Sequence, residues 1–118
     1  MGGIKPNLFR RFREIIMASS KEFLTFVLEQ LSSLDKISYR AMMGENILYY
    51  DGKIFGGIYD DRFLVKPTKP ALSMIAKPKY QTPYEGAKEM LLVEEIDDRE
   101  FLKKLILITC EALPAKKK

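Results

Sequence analysis

A chain of 118 residues with 47% apolar side chains is long enough for one domain with a single modest core. The sequence has no histidine and one cysteine, Cys110, which excludes an internal disulfide and removes the commonest general base and zinc ligand. No apolar run approaches the roughly 20 residues of a membrane-spanning helix, so we expect a cytoplasmic protein without membrane contact.

The net charge of +4 is located at the two ends of the chain. Residues 1–16 carry +3 and residues 116–118 carry +3, whereas residues 17–115 carry thirteen basic and fifteen acidic side chains. We predict an N-terminal arm over 1–16, from an upstream start or an expression vector, a domain over 17–115, and a lysine tail over 116–118. Apolar residues recur at helical spacing between three arginines, and we expect the arm to pack on its own domain or to fray; membrane-surface or nucleic-acid contact is the alternative.

The first element of the domain is a predicted helix. Ser19 and Glu22 form the S-x-x-E capping box that starts a helix. Its apolar stripe consists of Phe23, Val27, Leu31 and Leu34, flanked by Leu24 and Leu28. Alternation of apolar and polar residues from Ile37 to Met43 then predicts a first strand.

A strand meander follows. Segments 46–50 and 53–59 flank Asp51-Gly52, a pair suited to the positive φ angles of a type I′ hairpin turn. Asp60-Asp61 predicts a second turn, followed by a strand over 62–66. Gly56-Gly57 indicate a β-bulge or a close approach of another backbone, and we expect a packed helix there rather than a ligand.

The last part of the chain returns to helices. Thr68 predicts the N-cap of a short helix through Ala76, residues 77–86 a loop, and residues 87–94 a final strand. Asp97 or Asp98 then caps a helix that ends before Leu113-Pro114. Because the strands lie between helices, we predict an α+β fold in which helices cover one face of an antiparallel sheet, as a two-layer α/β sandwich.

Four segments of the chain form a recognisable pattern: the first helix, "YYDGKIFGGIYDDRFLVKP", "PYEGAKEML" and the closing helix. Its motif residues are Arg40, Met42, Gly44, Asp51, Gly52, Phe55 and Gly57. With this pattern, more than three quarters of the chain resembles the TfoX/Sxy N-terminal domain family. The resemblance implies a secretion-chaperone-like two-layer fold and a regulatory, protein-interacting role; in full-length members that role is to help the cyclic-AMP receptor protein activate competence promoters. It implies no catalytic, cofactor or metal residues.

We therefore expect a non-catalytic domain that binds a protein, such as a transcription regulator, through a surface. The candidate contact surface is the outward side of the sheet together with a basic block: Arg62, Lys66, Lys69, Lys77 and Lys79. An acidic block over 85–100 carries −5 against the +5 of residues 62–84. A homodimer could set each block against its opposite in the other copy, unless the blocks neutralise each other within one molecule or face water.

Two alternatives remain at this stage. The sheet could bind nucleic acid by stacking bases on aromatic rings and holding phosphates with the basic block. The rings concerned are Tyr49, Tyr50, Phe55, Tyr59 and Phe63. An enzyme would need one of the carboxylate pairs Asp60-Asp61, Glu94-Glu95 or Asp97-Asp98 to hold Mg²⁺, but adjacent strand residues point to opposite faces, and no phosphate-binding loop or metal-ligand spacing accompanies them. We expect Cys110 to be a small buried hydrophobe.

Overall fold

Three helices and six strands make up the part of the chain that the computed structural model describes, residues 20–42 and 44–114. The helices are α1 Ser20–Gln30, α2 Lys69–Ser73 and α3 Arg99–Glu111. The strands are β1 Ile37–Met42, β2 Glu45–Tyr50, β3 Lys53–Tyr59, β4 Arg62–Val65, β5 Tyr80–Gln81 and β6 Met90–Leu92. They form one antiparallel sheet in the order β1-β2-β3-β4-β6-β5, which confirms the α+β prediction.

The apolar stripe of the first helix is buried as its spacing predicts. Phe23, Val27 and Leu31 have exposed fractions of 3% or less and join the core beneath the sheet. The helix itself ends at Gln30, and a turn in which the Leu34 N–H donates to the Leu31 carbonyl keeps the stripe in the core. Ser19 of the predicted capping box, the arm over 1–16, Met43 and the lysine tail lie outside the described residues.

Both predicted hairpin turns form, and their central residues have the expected positive φ angles. Asp51 and Gly52 have φ angles of 51° and 83°, and Asp60 and Asp61 have 54° and 58°. Left-handed angles at both central residues match the right-handed twist of the flanking strands, which is why Asp and Gly occupy these positions. The turns join β2 to β3 and β3 to β4, so the register of the meander is set locally.

The two glycines of β3 mark a bulge and a close backbone approach. The register between β2 and β3 shifts at Leu48/Tyr49. A Cβ on Gly56 would overlap the main-chain oxygen of Leu64 and lie 2.9 Å from the Cα of Val65. Those atoms belong to the neighbouring strand β4, so the expected close approach of another backbone is confirmed, and the helices α1 and α3 contact β3 as well.

The elements after β4 are shorter than predicted. Thr68 does cap α2, accepting from the Ala71 N–H, but the helix ends at Ser73 rather than at Ala76. The predicted loop over 77–86 contains β5, and the predicted strand over 87–94 shrinks to the three residues of β6. Asp98 is the cap of α3, with its carboxylate accepting from the Phe101 N–H at 3.1 Å.

The helices and the core lie on one side of the sheet, here called the inner face. Its side chains come from alternate positions of the strands: Leu48, Ile58, Phe63, Val65 and Leu91, all fully buried. The core also includes Leu102, Leu105 and Ile106 of α3. Burial of large aliphatic and aromatic groups between two layers is the main stabilising term of such a domain.

Candidate contact surface

The outer face is the side of the sheet opposite the helices. Ladder partners share a face, so its members follow from the register and include Ser38, Arg40, Met42, Glu45, Ile47, Tyr49, Ile54, Gly57, Tyr59, Arg62 and Leu64. Met42 is 45% exposed and Ile54 is 39% exposed, and Ile47 and Tyr49 are partly exposed. Large apolar side chains in contact with water on a rigid sheet are a feature of surfaces that bind other proteins.

One end of the outer face is closed by the segment after β5. Tyr59 is only 6% exposed, and its ring lies over Gly57, where a Cβ would come within 2.8 Å of two ring atoms. Burial raises the pKa of Tyr59, and the nearby Tyr84 and Glu45 raise this pKa further. The available part of the outer face is therefore the half that lies towards β1.

Arg62 holds this closing segment in place. Its Nε donates to the Tyr59 carbonyl at 3.1 Å, and Nη1 donates to the Gln81 amide oxygen at 2.8 Å and to the Thr82 carbonyl at 3.1 Å. Nη2 donates to the carbonyl of Pro83 at 3.2 Å. A planar guanidinium can serve several acceptors at once, so Arg62 acts here as a clamp between β4 and the loop.

The rest of the predicted basic block is spread over several elements. Lys79 forms an exposed ion pair with Glu94, with Nζ and Oε1 3.2 Å apart. Lys66 is partly buried after β4, and Lys69 and Lys77 are exposed at and beyond α2. The Lys79–Glu94 pair joins the basic block to the acidic block within one molecule, and an exposed pair of this kind contributes little stability.

Glu45, which pairs with Met42 on the outer face, is a carboxylate with a raised pKa. Burial raises the pKa of Glu45, the nearby Asp60 raises it further, and the Arg62 guanidinium and a hydrogen bond from the Asp60 backbone oppose the rise. Its Oε1 is buried and has no hydrogen-bond partner among the described residues. Sequence reasoning missed this contact, because Asp60 follows Glu45 by fifteen positions and approaches it through the β2–β3 pairing.

The other carboxylate pairs have structural positions. Asp60-Asp61 form a turn, Glu94 pairs with Lys79, and Asp98 caps α3. Within residues 20–42 and 44–114, no group of three or more Asp, Glu, His or Cys side chains is placed to hold a metal ion. The same residues include no helix long and apolar enough to cross a membrane.

Cys110 is buried in α3, as predicted. Its exposed fraction is 5%, and burial raises the pKa of the thiol, so the nucleophilic thiolate is disfavoured. Lys53 donates from Nζ to the main-chain oxygens of Cys110 at 3.0 Å and Leu113 at 3.4 Å. This contact satisfies carbonyls at the C-terminal end of the helix, where a positive charge is favourable.

The family-motif residues divide into two groups. Gly44, Asp51 and Gly52 adopt positive φ angles, and the side chain of Phe55 is fully buried. Gly57 lies beneath the Tyr59 ring, so these five positions have a role in the fold. Arg40 and Met42 are different, since both are exposed on β1.

Comparison with known proteins identifies the family of the chain. The family model described as the TfoX N-terminal domain matches residues 29–111, from the end of α1 to the end of α3. The chain belongs to the TfoX N-terminal domain family. It is also 31% identical over 102 residues to the uncharacterized 12.7 kDa protein in the trpE 5′ region of Spirochaeta aurantia, with 86% of this chain and 89% of that protein covered. That relative is itself described only by its size and genomic position.

Proposed function

We propose that this domain is a non-catalytic, cytoplasmic interaction module that binds a protein partner in transcriptional regulation. The observation that carries the proposal is the outer face near β1, where Met42 and Ile54 are exposed on a rigid sheet. Apolar side chains that stay in contact with water become favourable to bury when a partner covers them. The family membership supports a regulatory partner, and the competence-type role implied by the family name belongs to this proposal.

The test compares outer-face variants with a matched control. Met42→Glu and Ile54→Glu place a charge in the proposed interface, whereas Tyr80→Glu changes a tyrosine of similar exposure, 46%, on the opposite edge of the sheet. The tagged chain is tested against the purified cyclic-AMP receptor protein of the same organism, with and without cyclic AMP, and then against native cell extract. We expect a partner retained by wild type and Tyr80→Glu to be lost from both outer-face variants.

Two outcomes would contradict this proposal. One is a partner that both outer-face variants retain at wild-type affinity, which would place the binding surface elsewhere. The other is turnover of any substrate by the purified chain, which would remove the non-catalytic part of the proposal. Circular dichroism of each variant separates loss of binding from loss of folding.

Nucleic-acid binding by the sheet has less support. Of the five rings proposed for stacking, Phe55 and Phe63 are fully buried in the core and Tyr59 is 6% exposed. Arg62 donates its hydrogen bonds to the Tyr59 carbonyl and to the segment after β5. Base stacking needs an open ring face, so Tyr49 and Tyr50 alone would have to carry it. Salt-dependent retention of a labelled single-stranded oligonucleotide by the chain would favour this alternative.

A further inference from the structure

Among the described residues, the edge strand β1 has no proline, no β-bulge and no covering helix to protect it, and Arg40 is its one charged side chain. It is six residues long, pairs with β2 without interruption and contains no proline. Apart from Ile37 at its start, every side chain in it is exposed, and Tyr39 is 50% exposed. The opposite edge, β5, has only two residues. Natural sheets usually protect their edge strands, because the unpaired N–H and C=O groups of an edge strand can pair with another chain.

The backbone groups on the open side of β1 can be assigned from the register. The Asp51 N–H donates to the Lys36 carbonyl at 2.9 Å, so the pair Lys36–Asp51 lies on the hydrogen-bonded side of the ladder. Antiparallel ladders alternate, which directs Ser38, Arg40 and Met42 towards β2. The N–H and C=O groups of Ile37, Tyr39 and Ala41 therefore point away from the sheet.

We propose that a second copy of this chain binds at that edge, so that two β1 strands pair antiparallel about a two-fold axis at Tyr39. In this register Tyr39 exchanges both backbone hydrogen bonds with the partner's Tyr39, and Ile37 pairs with the partner's Ala41. Three residue pairs give six hydrogen bonds, and the two tyrosine rings meet on the inner face. This dimer does not rest on the proposed function, because it leaves Ile54 on the outer face open.

The pairing of charged side chains and the closed two-fold symmetry both favour a second copy of the chain in this register. An axis at Arg40 would set two guanidinium groups directly opposite each other, which is destabilising, whereas the Tyr39 axis sets Arg40 against the partner's Ser38. A two-fold contact uses the same edge of both copies and leaves only the short β5 edges, so the assembly closes at two.

The length of β1 limits the area of the dimer interface and therefore its expected affinity. Six residues span about 20 Å at a strand rise of about 3.3 Å, so the contact is smaller than the roughly 800 Å² per partner of a standard stable interface. We therefore expect a weak, concentration-dependent dimer rather than an obligate one. It should be measured up to the highest protein concentration that the chain tolerates, because interfaces below about 1,200 Å² in total are typical of weak encounters.

Sedimentation equilibrium of the full chain tests the dimer with two matched tyrosine variants. Tyr39→Lys places two ammonium groups at the proposed axis, and Tyr80→Lys makes the same change on the other edge strand, at a similar exposure of 46% against 50%. We expect association by wild type and by Tyr80→Lys, and association at least tenfold weaker for Tyr39→Lys. A wild-type monomer at every concentration overturns the proposal, and it is also the result expected if a different protein occupies this edge.

Cross-linking provides a second measurement, because a disulfide retains covalently a dimer that is only weakly populated. An equimolar mixture of the Ser38→Cys and Arg40→Cys variants should oxidise to a mixed disulfide, because these positions face each other across the axis at a Cα separation compatible with a disulfide. A mixture of Ser38→Cys and Tyr80→Cys is the control. A dimer that tolerates Tyr39→Lys, dissociates in high salt and gives no mixed disulfide would instead indicate pairing of the charged blocks, and would refute the β1 register.

Discussion

Replacing Arg62 with lysine distinguishes a structural clamp from a free contact residue. The guanidinium donates four hydrogen bonds, at 2.8–3.2 Å, to acceptors of Tyr59, Gln81, Thr82 and Pro83. A lysine keeps the charge but reaches only one or two of these acceptors, because its three N–H groups diverge from one nitrogen. Bonds from a charged donor contribute about 1.5–3 kcal/mol each and are not additive within one fork. We expect Arg62→Lys to lower the free energy of unfolding by about 2 kcal/mol.

Urea denaturation and hydrogen exchange measure this effect. For a domain of this size, a loss of about 2 kcal/mol corresponds to a fall of about 8–12 °C in Tm. If the loss is local, amides of the segment 81–86 should exchange about 30-fold faster, since each 1.4 kcal/mol is about a factor of ten. Lys77→Ala, an exposed change in the same basic block, should stay within about 0.5 kcal/mol of wild type. If Arg62→Lys keeps the wild-type free energy of unfolding and the wild-type exchange rates over 81–86, Arg62 does not hold this segment in place.

Two further predictions concern buried polar atoms. Thr109→Val should raise the free energy of unfolding by about 1 kcal/mol, because the fully buried Thr109 hydroxyl has no hydrogen-bond partner among the described residues. The control Thr25→Val, which removes an exposed hydroxyl bonded to the Lys21 carbonyl, should give no gain in a urea titration. Glu45→Gln should raise Tm at neutral pH, because burial raises the pKa of Glu45 in the folded protein and its charged form then costs stability. That gain should vanish as the pH falls below about 4, where the carboxyl is protonated in both states, and a gain independent of pH between 3 and 8 would contradict the assignment.

The preferences of neighbouring residues were sufficient to predict the strand meander, but they did not predict the hydrogen bonds of Arg62. Asp51-Gly52 and Asp60-Asp61 specify their turns through backbone preferences of the residues themselves, and both turns were predicted. Arg62 looked like one charge among five, because its acceptors lie about twenty positions later in the chain. Nothing in the sequence near Arg62 indicates that a distant loop returns to it.

Strands β5 and β6 show a second limit of the sequence. The two residues of β5 are too short to produce an alternation and were predicted as loop, whereas β6 was predicted within a longer strand over 87–94. Strand β6 pairs with Leu64 and Val65 of β4, and β5 in turn pairs with β6, so tertiary pairing determines the length of both strands. The alternation in β1, in contrast, predicted the strand correctly. It could not predict that both sides of β1 are exposed, because that depends on which strands the helices cover.

The dimensions of the two layers explain why β1 is exposed. Six strands spaced about 4.8 Å apart make a sheet roughly 25 Å wide, whereas two helices side by side cover about 20 Å. Both long helices, α1 and α3, contact β3, so the cover is centred there, and β1 lies two strands away at the margin. Tyr39 and Met42 are therefore exposed because the two long helices are too narrow to cover all six strands. The helices among the described residues leave this last strand uncovered, which is why the edge and the adjoining outer face are the places where binding is expected.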